Sequence, residues 1–141
     1  MRRALSFIFA TVLLCANFNV SAIATNDIVP YASLTLSYHD ADAVPGSRGK
    51  ICIEYDVRSN KLADSIGVAA IRFYKSDGTY VTTVMGTQSN GLVRINGSRN
   101  SGSYEYPLTS GTSYYAEVTL YATAGSVTDS RTVTTSTVKI P

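Results

Sequence analysis

The stretch LTSGTSYYAEVTLYA, residues 108–122, decides how this chain is read. Tyr114, Ala116, Val118, Leu120 and Ala122 share one parity, and Tyr115, Glu117, Thr119 and Tyr121 share the other. Strict alternation of this kind is the period of a β-strand with one buried face. The Gly111-Thr112 pair ahead of it supplies turn chemistry. The tyrosines therefore divide: Tyr114 points to the core, while Tyr115 and Tyr121 point outward.

The same period recurs on both sides of this stretch. In ASLTLSYH, residues 32–39, Ala32, Leu34, Leu36 and Tyr38 share a face. In KICIEYDV, residues 50–57, Ile51, Ile53, Tyr55 and Val57 oppose Lys50, Cys52, Glu54 and Asp56. Two β-prone runs flank Ser76-Asp77-Gly78, and an Asp-Gly pair between such runs signals a hairpin. Ile71 and Phe73 are expected inside, with Arg72 and Tyr74 outside. Residues 86–102 are rich in Gly, Ser and Asn. They read as a loop with one short strand at 92–95, and they contain an Asn96-Gly97-Ser98 sequon. Tyr104, Tyr106 and Leu108 share a face. In the closing run DSRTVTTSTVKI, Val133 and Val138 have opposite parity, which calls for a bulge or slip between them. About seven strands with frequent turns and no helical period describe an all-β chain, an antiparallel β-sandwich.

The corner itself is more specific. Leu108-x-x-Gly111-Thr112-x-Tyr114, followed by Ala116, Val118 and Leu120, resembles the E–F corner of fibronectin type III and related immunoglobulin-like domains. The resemblance implies that Leu108 ends one strand, Gly111 turns the chain and Tyr114 is a corner tyrosine. Its hydroxyl would bond back to nearby backbone. The chain departs from fibronectin type III in having no tryptophan and in placing Ser110 where proline is common. Tyr55 or a neighbour is expected to fill the missing indole volume. Through IGVAAIRFYKSDG, GTSYYAEVTLYA and DSRTVTTSTV, the chain is also similar to small secreted proteins of unknown function from gut Gram-positive bacteria. That likeness implies no active site.

The N-terminus sets the compartment. Arg2 and Arg3 precede an apolar run at residues 4–16, and Val20-Ser21-Ala22 offers a cleavage site, with a second after Ala24. The run falls short of the roughly 20 residues that span a bilayer. Large Leu14 directly before Cys15 argues against a lipid anchor there. Residues 1–22 are thus expected to be a cleaved secretory signal, leaving one domain at 23–141, extracellular and without a membrane anchor. Loss of Arg2 and Arg3 lowers the basic count from 12 to 10, equal to the 10 acidic residues. A nucleic-acid partner, which requires surplus positive charge, is not expected. Cys52 then remains alone, outward by parity, as a free thiol or as the link of a homodimer.

Candidates for chemistry are few. His39, the single histidine, lies in YHDADAVPG beside Asp40 and Asp42, read as a solvated loop. Zinc needs three or four ligands, and a calcium loop needs a different oxygen spacing. No Gly-x-Ser-x-Gly elbow is present to accompany a histidine base. Glu54, Glu105 and Glu117 sit on three different expected strands with nothing to unite them as a hydrolytic pair. No cofactor, metal or catalytic residue is assigned. Ten tyrosines remain, and tyrosine provides apolar area with a polar tip at low entropic cost. The outward set, Tyr74, Tyr115 and Tyr121, is the candidate binding surface. The expected function is a secreted, non-catalytic module that binds an extracellular protein, or alternatively a glycan through these rings.

Overall fold

The computed structural model describes residues 36–141. The expected signal segment with either cut, Cys15, and Ala32 and Leu34 of the first expected strand lie outside the described residues. Seven strands follow one another: β1 (Leu36–Pro45), β2 (Lys50–Lys75), β3 (Tyr80–Met85), β4 (Val93–Pro107), β5 (Ser113–Ala124), β6 (Val127–Thr134) and β7 (Val138–Lys139). Every pairing is antiparallel. No described helix is long and apolar enough to cross a membrane.

The strands form one hydrogen-bonded sheet rather than two separate ones, and the sheet curls into a half-barrel. The cause is β2. Its 26 residues continue without interruption through RSNKLADS, residues 58–65. Residues 50–58 pair with β1 on one side and with 99–107 of β4 on the other. Residues 63–75 pair with β5, β3 and the start of β4. One strand thus belongs to two walls, and the core lies between them.

Inward parity follows the apolar residues and switches where a residue is inserted. Ile51, Ile53 and Val57 are fully buried and Tyr55 nearly so. Past the bend Ile66 and Val68 face in; the register then shifts between Val68 and Ala70, and Ile71 and Phe73 take over. Each fully buried branched or aromatic side chain contributes about 1.5–3 kcal/mol. Ala116, Val118, Leu120 and Ala122 close the core from β5. Tyr106 stacks on Phe73 with centroids 4.9 Å apart, joining the two walls at one end.

Three expectations need correction. His39, Asp40 and Asp42 are strand residues of β1 rather than loop. A register shift between Leu36 and Tyr38 turns Tyr38 outward and buries Ala41 and Ala43 instead. Residues 93–107 are one strand, not a loop with a short strand. Its polar residues occupy inward positions: Gly97 packs under Arg94, and the Asn100 amide donates to the carbonyls of Leu92 and Ile66 at 3.0 and 3.4 Å. The slip in the last run is present. Val118 pairs with Val133 but Tyr114 pairs with Val138, one residue out of step. Thr135 fills the gap, its hydroxyl accepting from the Ala116 N–H at 2.9 Å.

The hairpin after Lys75 has the expected turn, with Gly78 at φ 87° and the Gly78 N–H donating to Lys75 at 2.9 Å. A second glycine serves close approach: Gly67 has φ 153°, and a Cβ there would overlap the Leu92 carbonyl oxygen. This lets fully buried Leu92 lie against β2, where the Val68 N–H donates to its carbonyl at 2.8 Å.

β1 and β6 approach side by side without sharing a backbone ladder. Two aspartates span the seam. Asp129 accepts from the Leu36 N–H at 3.4 Å, and Asp42 accepts from the Ser136 N–H at 2.8 Å. Asp129 is buried and also takes Arg131 at 2.6 Å.

Acid should loosen this seam. The Ser136 N–H holds the Asp42 carboxyl below its ordinary range, outweighing the opposing effect of burial. A carboxylate whose folded pKa is depressed stabilises the fold above its unfolded value of about 4, and that contribution disappears as pH falls through the folded value. Asp56, Asp77 and Glu105 are shifted the same way. The expected melting midpoint is flat from about pH 7 to about 5 and drops below about 4, with amide exchange rising early in β1. Asp42→Asn should shrink this acid dependence, and Asp129→Ala should cost about 1–3 kcal/mol in urea unfolding.

Candidate functional site

The outer face of β2 and β5 carries the tyrosines that parity singles out. Tyr74 and Tyr115 are register partners, and their rings stack at 5.2 Å with planes 13° apart. Tyr80, which the sequence reading did not select, pairs with Tyr74 from β3 and packs its edge against that ring at 5.9 Å and 70°. The hairpin itself held the signal, because a residue just after the turn must face one just before it. The Tyr74 hydroxyl donates to Glu117 at 3.1 Å. Loss of solvation, then this bond, pushes the Tyr74 phenol up, so it remains a neutral donor.

Tyr121 does not join them. It pairs with Gly67 and Ser130, and six residues of strand separate it from Tyr115 by roughly 20 Å. Between them the face carries Glu117 and the threonine pair Thr119 with Thr132 at 3.1 Å, and a second pair, Thr123 with Thr128 at 2.8 Å, lies beyond Tyr121. The Tyr74 and Tyr115 rings stand as stacked plates facing one another, not as coplanar plates lying open on the sheet. A flat ligand meets their edges and the exposed Tyr80 ring.

At the same end the two walls splay. A cleft of ≈ 500 Å³ opens between β3 and the end of β4, lined by Val81, Thr82, Tyr106, Leu108, Thr109 and Tyr114, with Pro107 at its rim. The corner residues meet here. Gly111 adopts φ 80°, and its N–H donates to Ile140 at 2.9 Å, while the Leu108 N–H donates to Gly49 at 2.9 Å. Backbone of the chain end and of the β1–β2 turn therefore pins the corner. Tyr114 is 3% exposed, yet among the described residues its hydroxyl has no hydrogen-bond partner. The expected bond from that hydroxyl to nearby backbone is not made.

The other wall is acidic on its outer face. Asp40 lies opposite Asp56 and Asp42 opposite Glu54. Like charges directly opposed cost stability, and local partners offset them. Asp56 is bridged by Arg58 at 2.7 Å and Arg99 at 2.9 Å, and these guanidinium contacts hold it below the usual carboxylate range. These carboxylates border a depression of ≈ 250 Å³ with Tyr38, whose ring lies 5.0 Å from the Arg58 guanidinium. No group of three or more His, Cys, Asp or Glu among the described residues is placed to hold a metal ion. His39 pairs with Val57 on exposed β1. Glu105 bonds Ser47 and Lys50, and Glu117 bonds Tyr74, so neither joins Glu54 in one pocket.

Cys52 faces outward, half-buried, between Val44 and Glu105. Partial burial pushes its thiol up; a Ser103 hydrogen bond opposes this, while Glu54 and Glu105 add to it. Parity placed the sulfur outside, but its surroundings disfavour the thiolate that reacts.

Two outcomes follow. In urea titrations, Gly111→Ala should cost about 1–2 kcal/mol, whereas Tyr114→Phe should stay within about 0.5 kcal/mol because no bond is lost. At neutral pH, Cys52 should react with a disulfide reagent more slowly in the native than in the unfolded protein, and Glu54→Gln should accelerate the native reaction. Equal rates for Glu54→Gln and wild type would remove the carboxylate from the account.

Comparison of this chain with protein-family models, with curated proteins and with solved structures finds no match in any of the three.

Proposed function

We propose that this protein is a secreted, non-catalytic interaction module of immunoglobulin-like, fibronectin-type-III-like build that binds an extracellular protein. The strand order supports the build. β1, residues 50–58 and residues 99–107 lie in the order A-B-E, and β3, residues 63–75, β5 and β6 lie in the order C′-C-F-G. The continuous β2 and the start of β4 then act as hydrogen-bonded hinges between the walls of such a sandwich.

The observation that carries the binding reading is the cluster of Tyr74, Tyr115 and Tyr80 beside an open cleft. Rigid, amphipathic rings at a rim of exposed apolar side chains are the composition of protein-recognition patches. Stacked rather than coplanar rings favour a protein over a sugar ring on this face. The charged side chains of the molecule are engaged with one another or spread over separate strands, which favours recognition over acid–base chemistry.

Immobilised protein incubated with extracellular host or microbial extract should enrich a partner detectable by mass spectrometry. Tyr74→Ala with Tyr115→Ala should reduce that enrichment at least tenfold, in keeping with the energies of buried interface tyrosines of about 2 kcal/mol. Equal enrichment by the double variant, at an unchanged fold by circular dichroism, would remove this face from the binding surface.

A further inference from the structure

We propose that the open edge of β3 and the adjoining cleft receive an extended, uncharged polypeptide segment, which adds to the sheet as a strand and seats an apolar side chain between Val81, Tyr106 and Leu108. The proposal deepens the interaction-module reading and rests on it.

Four observations converge. Among the described residues β3 pairs with no strand but β2; the Asn90 side-chain amide donates to the Met85 carbonyl at 2.9 Å, and no strand lies beside the rest of its other edge. Exposed edges are ordinarily blunted by lysine, proline or inward charge. β3 reads YVTTVM, with neither charge nor proline. It does carry a bulge between Tyr80 and Thr82, and the extra residue, Val81, lines the cleft. Second, β3 holds three of the seven exposed large hydrophobic residues described: Tyr80 at 56%, Val81 at 36% and Met85 at 63%. Third, no residue lining the cleft is charged at neutral pH. A charged side chain entering it would lose solvent without gaining a partner. Fourth, Tyr114 lines the cleft almost fully buried with its hydroxyl unpartnered among the described residues. A buried polar group of this kind is stabilised by a ligand atom that bonds it.

These features select a polypeptide. A free strand edge offers alternating N–H and C=O groups that only another backbone matches in spacing, and side chains of alternate residues then enter a flanking pocket. The cleft has no carboxylate or amide side chain to take the paired hydroxyls of a sugar. Six residues of β3 span about 20 Å and set the length of the added strand at five or six residues.

The test uses a phage-displayed library of random dodecapeptides selected on the purified protein, followed by synthetic forms of the enriched peptides. The expected peptides carry an uncharged run of five or six residues alternating branched or aromatic with small polar side chains. Val81→Arg should weaken their binding at least tenfold, and Tyr114→Phe several-fold. Bound peptide should slow amide exchange at residues 80–85. Thr132→Arg, on the outer face of β6, should bind as wild type does and controls for added charge. No enriched peptide, unchanged affinity in Val81→Arg, or unprotected β3 amides would overturn the proposal. A wild-type dimer in sedimentation that Val81→Arg converts to monomer would overturn it too, because a second copy would then occupy the edge. Binding that survives Val81→Arg but is lost in the Tyr74→Ala, Tyr115→Ala double variant would remove the strand and leave the interaction module standing.

Discussion

The rest of this structure depends on β2 turning from one wall to the other without giving up its hydrogen-bonded neighbours. Strand β4 makes that possible by bending with it. Opposite residues 59–62 of β2, β4 has only Ser98, and it bends directly beside this at Gly97, which leaves room for Arg94, and at Asn96, with φ 52°. The buried amide of Asn100 then donates to the carbonyl of Ile66 and to that of Leu92, which also accepts from the Val68 N–H, and so ties the two strands together at the bend. An unmade bond of that kind costs roughly 1–3 kcal/mol. Tyr55 adds a tie from the core to the loop before β4, its hydroxyl donating to the Gly91 carbonyl at 3.0 Å. Burial pushes this phenol up, which keeps it a donor. The curl is therefore held by polar side chains in an apolar interior.

That is why parity was legible in the sequence and the curl was not. Ile51, Ile53, Tyr55 and Val57, Ile71 and Phe73, and the even residues from Tyr114 to Ala122 all face the core as their alternation predicts. Even the one-residue slip between Val133 and Val138 could be read, since a buried face cannot change parity without one. Residues 96–102 mislead because Asn, Gly, Ser and Arg are loop-formers by composition. Their strand conformation is imposed by β2 alongside. Tyr38 misleads for a similar reason, because the bulge between Leu36 and Tyr38 resets which residues face in.

The candidate site divides along the same line. Alternation identified Tyr74 and Tyr115 as outward, and register then made them neighbours. Shared parity says nothing about distance along a strand, and Tyr121 is remote for that reason. Tyr80 and the cleft escaped the sequence because three segments build them. Val81 and Thr82 come from an edge strand, Tyr106 and Leu108 from the end of β4, and Tyr114 from the start of β5. The corner motif marks this place, but its tyrosine contributes a ring wall and a hydroxyl without a partner among the described residues instead of a tie to the backbone.

A sheet that curls without closing has two open seams, and this molecule treats them differently. Where β1 meets β6, Asp42 and Asp129 stand in for missing ladder bonds, and Arg131 neutralises the buried carboxylate. Those edges also carry His39 and Asp40, so they are polar as well as tied. Where β3 faces the end of β4, no side chain among the described residues makes an equivalent tie; the gap holds valine, leucine, threonine and tyrosine, and Pro107. Solubility alone would favour charge on both seams, since an uncharged edge invites another backbone. Core packing does not explain the difference either, for Tyr80 and Met85 lie on the solvent side of β3. The chain has placed its charge where the sheet is tied shut and withheld it where the sheet stands open, and the proposal of recognition at β3 and its cleft rests on that asymmetry.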